Sequence, residues 1–249
     1  MKRLIRALVS VAYVVVMLAV GIVTVIWLIV MLLITYPFDK ERVVLHWFSK
    51  IAARLVFYWS PVWHLEIEGL EHIDYHKAYV ITVNHQSYLD IPLMYFVPSL
   101  NFKWVSKYEL RQMPIIGIIL HLHDDITIRR GKASAAIDLM EKGSQHLGSG
   151  TSIMIFPEGT RSRDGEVHHY KEGAFRLAKS NGVEVLPCVI DGTRTAIDRF
   201  GLHRNTFTVR VLPPIGVDRV AACEPKILAE EVETLTRDNL LDIRSGKHK

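Results

Sequence analysis

Residues Ala7 to Tyr36 carry no charged side chain and are almost all apolar. As a helix, a run of about 30 residues is roughly 45 Å long. A bilayer's hydrocarbon core is about 30 Å thick. The run is too long for the apolar core of a cleavable signal, and no small-x-small site closes it. A helix apolar on every face is poorly suited to pack one side on a soluble core. Trp27, Tyr36 and the basic Lys2, Arg3 and Arg6 suit the two membrane interfaces. The sequence therefore predicts a membrane helix here, and everything after it must fold beside a bilayer.

A second segment, Val43 to Trp63, is rich in aromatic residues and has a narrow polar stripe of His46, Lys50 and Arg54, with Ser49 beside it. Such a helix fits the membrane interface, or dips into one leaflet with its basic residues snorkelling. The other reading is a domain helix with one face on the core. The division expected is 1–63, N-terminal membrane-anchoring helices, and 64–249, one undivided domain. The basic amino terminus favours a cytoplasmic start. One crossing would put the main domain outside; two crossings or a re-entrant hairpin would leave it in the cytoplasm. Cys188 and Cys223 are the only cysteines, too few for a disulfide framework, which favours a reducing compartment. The net charge of +4 is compatible with an anionic lipid surface, and no nucleic-acid-binding signature is present.

From His64 onward short β-prone runs alternate with helix-prone ones, the pattern of an α/β sheet covered by helices. The predicted strands are 65–68, 79–83, 102–106, 126–129, 153–156, 185–190 and 207–211. The predicted helices are 89–96, the region around 115–120, 133–146, 174–179 and 225–241.

Asn84-His-Gln-Ser-Tyr-Leu-Asp90 falls where the second of those strands ends and a helix begins. Binding sites in open α/β sheets gather at the carboxyl ends of strands. On an unbroken helix, His85 and Asp90 would point roughly 140° apart. They meet only if the chain turns between them, and Ser87 is a candidate N-cap for that turn. The proposal is that Asp90 orients His85 as a general base; the alternative is an ordinary surface pair. Lys107 follows another strand at the same sheet edge, as a site residue or a solvated lysine. His121-Leu-His123-Asp124-Asp125 resembles part of a metal-binding cluster, but Ile126 stands where a further ligand would be needed. Arg129 and Arg130 end a strand and could bind phosphate or face solvent. In Phe156-Pro-Glu-Gly-Thr-Arg161-Ser-Arg163 an apolar strand stops in a turn dense with functional groups. Arginine's planar fork suits a phosphate there, with Glu158 holding the fork in place. No nucleotide-binding glycine loop occurs.

In order and spacing, these blocks resemble the glycerolipid acyltransferase family over roughly Ile67 to Pro214, and most closely its bacterial 1-acyl-sn-glycerol-3-phosphate (lysophosphatidic acid) acyltransferases. His85-x4-Asp90 is similar to the family's first block and Phe156 to Ser162 to its phosphate-binding block. Lys107 matches a family lysine, and Leu186-Pro187 falls at the family's last, structural block. The resemblance implies an α/β fold, a mixed sheet flanked by helices, behind an N-terminal membrane helix or helical hairpin. It implies His85 and Asp90 as catalytic residues, and Glu158, Gly159, Thr160, Arg161, Lys107 and Arg130 as the acceptor's phosphate site. It implies no metal and no cofactor beyond the acyl thioester co-substrate, acyl-CoA or acyl-ACP (acyl carrier protein). Lysophosphatidic acid or a related lysolipid and the phospholipid membrane are the partners it implies, with phosphatidic acid as product, on the cytoplasmic face of a bacterial inner membrane. One block departs: the family's Gly-x-Ile-Phe-Ile-Asp-Arg is Asp124-Asp-Ile-Thr-Ile-Arg-Arg130 here. Family members acting on other lysolipids or lyso-ornithine lipids remain an alternative, and a membrane metal hydrolase using His121 and His123 a remote one.

Overall fold

The computed structural model describes residues 2–58, 60, 62–97, 101–129, 131, 134–198 and 201–246, with the side chains of 2–7 and 134 excepted. Trp59, Arg130 and Ala133, which figure in the sequence reading, lie outside the described residues.

Two helices come first, α1 (Lys2–Thr35) and α2 (Val43–Tyr58). Asp39 makes the turn between them. Its two carboxylate oxygens accept the backbone N–H groups of Val43 and Val44, both at 2.9 Å, so the free donors of α2's first turn are satisfied. Within α1, Leu8–Thr35 is long and apolar enough to cross a membrane, and apart from Ser10, Tyr13, Leu28 and Thr35 its side chains are exposed or half-buried. The helix nonetheless runs alongside the rest of the protein. Ser10 Oγ accepts the Leu202 N–H at 2.9 Å, and Tyr13 donates its hydroxyl to the Val56 carbonyl of α2.

Helix α2 is oriented opposite to the snorkelling expectation. His46, Ser49 and Lys50 face inward and are buried, while Trp47 and Tyr58 are 57% and 77% exposed. Arg54 alone of the stripe stays outside. Most of the polar stripe thus packs on the protein together with Leu45, Ala53 and Phe57, while the apolar Val43, Trp47, Ile51 and Tyr58 are left exposed. A soluble helix does the reverse; the inversion suits a surrounding hydrocarbon medium.

The remaining chain builds one seven-stranded sheet. Its strands are β1 (Trp63–Glu68), β2 (Tyr79–Val83), β3 (Phe102–Lys107), β4 (Ile126–Ile128), β5 (Ser152–Ile155), β6 (Glu184–Asp191) and, after a small hairpin of β7 (Ile197–Asp198) with β8 (Gly201–Leu202), β9 (Asn205–Val211). The order across the sheet is β1-β9-β6-β2-β5-β3-β4. From β6 to β4 every pairing is parallel; β9 runs antiparallel to β6, and β1 parallel to β9. All seven strands expected from the sequence are present, and the sheet is mixed and flanked by helices. Strand β2 is central and buried along its whole length, which explains its mostly apolar sequence: parallel strands are covered on both faces.

Alternating side chains divide the core. Ile81, Val83, Trp104, Met154 and Leu186 face α2 and the short α3 (Asp90–Met94). Val80, Ile153, Val185 and Val189 face α5 (Ser134–Gly148), α6 (Gly173–Asn181) and α8 (Pro225–Ser245), where Phe175, Leu177, Val232 and Leu240 meet them. Each such fully buried side chain contributes about 1.5–3 kcal/mol. The five parallel strands bring their carboxyl ends to one edge, so the segments after β2, β3, β4, β5 and β6 converge there.

Candidate active site

Beyond Val83 the chain leaves β2 through Asn84. This buried amide stands in for the ladder: Asn84 Nδ2 donates to the Ile190 carbonyl and Oδ1 accepts the Ile190 N–H, both at 2.8 Å. The strand end is thereby locked to β6, and the following residues turn out of the sheet. Asp90, the first residue of α3, is fully buried. Its Oδ2 accepts from the backbone N–H of Gln86 at 2.6 Å, the backbone N–H of Ser87 at 2.8 Å and His85 Nδ1 at 2.7 Å. Thr193 Oγ1 donates to the other oxygen. One carboxylate therefore folds the loop and holds the imidazole. Ser87 is not the helix N-cap expected; Leu89 occupies that position, and Ser87 Oγ accepts the Leu89 N–H at 3.3 Å within the turn.

With Nδ1 donating to Asp90, the tautomer leaves Nε2 with its lone pair. The ring is held flat on Phe156, with centroids 3.9 Å apart and planes 13° apart, and Phe156 in turn stacks on Trp104. His85 lines a cavity of about 530 Å³. Its walls are mainly apolar: Tyr88, Trp104 and Phe156 from the domain, Met17 and Gly21 from α1, Ala53 from α2, and Ile116 from α4 (Pro114–Leu122). Lys107 lines the same cavity and pairs with Glu109 at 3.4 Å.

The turn after β5 is fastened to His85 at both backbone groups. Glu158 Oε1 accepts the His85 N–H at 2.8 Å, and the Ser162 N–H donates to the His85 carbonyl at 2.7 Å. Glu158 Oε2 accepts the His168 N–H at 3.3 Å. This differs from the expectation that Glu158 steadies Arg161: its carboxylate is turned inward onto backbone amides, and burial pushes its pKa up to about 7 against those hydrogen bonds. Gly159 has φ +74°, a left-handed backbone conformation that favours glycine. Thr160 and Arg161 are exposed on the outer side of the turn. The Arg161 guanidinium lies over the Tyr88 ring, 3.7 Å from its centroid. Arg129 lies likewise over Tyr108 at 4.1 Å. Arg130 is outside the described residues, so its expected place at the phosphate has no structural description.

His85, Asp90, Lys107, Glu158, Gly159 and Arg161 thus gather at one edge of the sheet. The two histidines of the metal reading do not. His121 is exposed beside Arg111, whereas His123 is buried with Nε2 2.7 Å from Ser49 Oγ. Burial, then the charge of Lys103, lowers the His123 pKa to about 3. Among the described residues no group of three or more His, Cys, Asp or Glu could hold a metal ion. Sequence reasoning included Asn84, Phe156 and Ser162 in its two blocks without giving them a role, and it missed Thr193 as part of the site. Thr193 was visible only as a small residue in the turn after a strand, a signal shared by many turns.

The family model for acyltransferases matches residues 64–191. The chain belongs to the acyltransferase family. It is 35% identical to the chloroplastic 1-acyl-sn-glycerol-3-phosphate acyltransferase LPAT1 of Arabidopsis thaliana, over 67% of this chain and 48% of that protein. It is 30% identical to a 1-acyl-sn-glycerol-3-phosphate acyltransferase of Limnanthes douglasii, over 77% of this chain and 68% of the relative. The chain spans about half the length of the chloroplast relative. The crystal structure of the 1-acyl-sn-glycerophosphate acyltransferase PlsC from Thermotoga maritima superposes with a TM-score of 0.77, covering 97% of this chain and 98% of that one at 23% identity. The acyltransferase fold here is therefore shared along nearly the whole chain, the two N-terminal helices included. Within the family match lie His85, Asp90, Lys107 and the 156–162 turn.

Proposed function

We propose that the protein moves a fatty acyl group from a thioester, carried by coenzyme A or acyl carrier protein, to the sn-2 hydroxyl of 1-acyl-sn-glycerol-3-phosphate, giving phosphatidic acid at the membrane. The observation that carries this is the 2.7 Å contact of His85 Nδ1 with Asp90 Oδ2 in the wall of an apolar cavity. An alcohol holds its proton too tightly to attack at neutral pH. A neutral imidazole can remove it as the new C–O bond forms.

In this mechanism the substrate hydroxyl gives its proton to His85 Nε2 and attacks the thioester carbonyl. Asp90 stabilises the imidazolium, as the acid does in a catalytic triad. The tetrahedral intermediate then collapses, breaking the C–S bond, and the thiolate leaves with the proton from His85. The substrate supplies the hydroxyl, so no acyl-enzyme forms. Arg161 and Lys107 hold the acceptor phosphate and bring the hydroxyl against Nε2. The cavity takes the acyl chain. The bare apolar faces of α1 and α2 support residence in a membrane beside the lipid acceptor. Both cysteines are buried free thiols, in keeping with a cytoplasmic face in a bacterial inner membrane.

The test is incubation of the purified protein with lysophosphatidic acid and a long-chain acyl thioester, with the product identified by mass spectrometry. Phosphatidic acid is expected. Acylation of a different lysolipid alone would transfer the same chemistry to another headgroup, an outcome to which the changed 124–130 block gives weight. Thioester hydrolysis without transfer would remove the proposed acceptor.

A further inference from the structure

We infer that Tyr88 is a positioning residue for the acceptor phosphate: its ring, which lines the cavity, carries the Arg161 guanidinium over its face and leaves the hydrogen-bond donors for the phosphate. The inference deepens the proposed function and rests on that reading.

Arg161 is an exposed side chain on a turn, and an unrestrained arginine samples many rotamers. A carboxylate partner would fix it, but would also occupy its donors and cancel its charge. The neighbouring carboxylate, Glu158, is turned inward onto the backbone of His85 and His168. Among the described residues the contact that remains for Arg161 is the Tyr88 ring, 3.7 Å from Cζ to centroid. Stacking on an aromatic face restrains the guanidinium plane and leaves its N–H groups directed outward in that plane. That is the geometry in which an arginine presents a two-pronged edge to a phosphate.

Tyr88 also has a fixed relation to the catalytic imidazole. It lies three residues after His85, in the loop that Asp90 holds through the backbone N–H groups of Gln86 and Ser87. Both Tyr88 and His85 line the cavity. The ring therefore joins the cationic group to the base through a short, hydrogen-bonded stretch of chain. A phosphate held by Arg161 has its distance to Nε2 set by Tyr88. The ring is 56% exposed, so the fold does not depend on it.

The experiment is steady-state kinetics on full-length Tyr88→Phe, Tyr88→Leu, Tyr88→Ala, Arg161→Ala and the Tyr88→Leu/Arg161→Ala double variant. Acceptor and thioester are varied separately. Leucine keeps an apolar wall but has no π face. Tyr88→Leu and Tyr88→Ala are expected to raise the acceptor KM about three- to tenfold, the range of a cation–π contact, with little change in the thioester KM. Tyr88→Phe is expected to stay within about twofold of the parent protein. On the Arg161→Ala background Tyr88→Leu should add nothing, because the two residues act as one unit. A raised acceptor KM in Arg161→Ala with a normal one in Tyr88→Leu would overturn this inference and leave the phosphate role of Arg161 standing. An unchanged acceptor KM in Arg161→Ala would overturn the phosphate role itself, and this inference with it.

Discussion

Thr193 donates its hydroxyl to Asp90, across 103 residues of chain. The Asp90 carboxylate is therefore held from two directions, by its own loop and by the turn after β6. Replacing Thr193 with valine keeps the shape and removes the donor. A buried acceptor left unpaired costs about 1–3 kcal/mol. Thr193→Val is expected to lose stability in that range by thermal unfolding and to turn over about tenfold more slowly. The acceptor KM should not change.

His85→Ala removes the proposed base and is expected to lower kcat by about 10²–10⁴-fold, with an unfolding temperature close to that of the parent. Asp90→Asn should lose a comparable amount of activity and also stability, because an amide cannot accept from three donors at one oxygen as the carboxylate does. Near-normal turnover in His85→Ala, measured by thiol release, would exclude the imidazole as base.

Glu158 gives a pH dependence whose sign is fixed by burial. Its pKa is about 7 in the folded protein, above the ordinary 4.5 of the free side chain. Between those values the unfolded chain has lost the proton and the folded one retains it. Stability must therefore fall as the pH rises from about 4.5 to about 7 and level off above. Glu158→Gln cannot titrate, and its stability curve measured against pH by denaturant unfolding should be flatter across that window. Equal slopes for both proteins would show that the carboxyl group is ionised throughout.

Removing residues 1–34 takes away the apolar span and one wall of the cavity. Helix α2 keeps its exposed Trp47, Ile51 and Tyr58. The truncated protein is expected to sediment in part with phospholipid vesicles while losing most of its activity on long-chain thioesters. Complete recovery in the supernatant would show that α2 is no anchor.

The proposed reaction is expected to persist in excess chelator, and His121→Ala to remain within about twofold of the parent in thiol release. A metal hydrolase built on His121 and His123 would fail both measurements.

The strands were easy to read because the central ones are mostly apolar and β-prone, as burial on both faces favours, despite Thr82 in β2 and Lys103 in β3. The meeting of His85 with Asp90 was legible too, once a turn was required between them. The direction of side chains was harder. His46 and Lys50 read as an outer stripe because polarity usually marks the water side; in the fold they are buried against the protein, and only the packing of α2 shows it. Glu158 read as a partner for Arg161 because opposite charges lie close in sequence. The backbone of His85, 73 residues away, was the stronger claim on its oxygens, and no local pattern records a contact at that distance. Thr193 was missed for the same reason, and the contact of Ser162 with the His85 carbonyl was equally invisible.

The parallel sheet has a consequence for the order in which the protein comes into being. The two hydrophobic helices precede every strand of the sheet and so are made before it. His85 and Asp90 emerge soon afterwards, but Glu158 and Ser162 are made some 70 residues later, and Thr193 later still. No early portion of the chain can assemble the base in working geometry. In the proposed reaction, acyl transfer starts only once the turn after β6 has been made, long after the apolar helices, so an unfinished chain is silent.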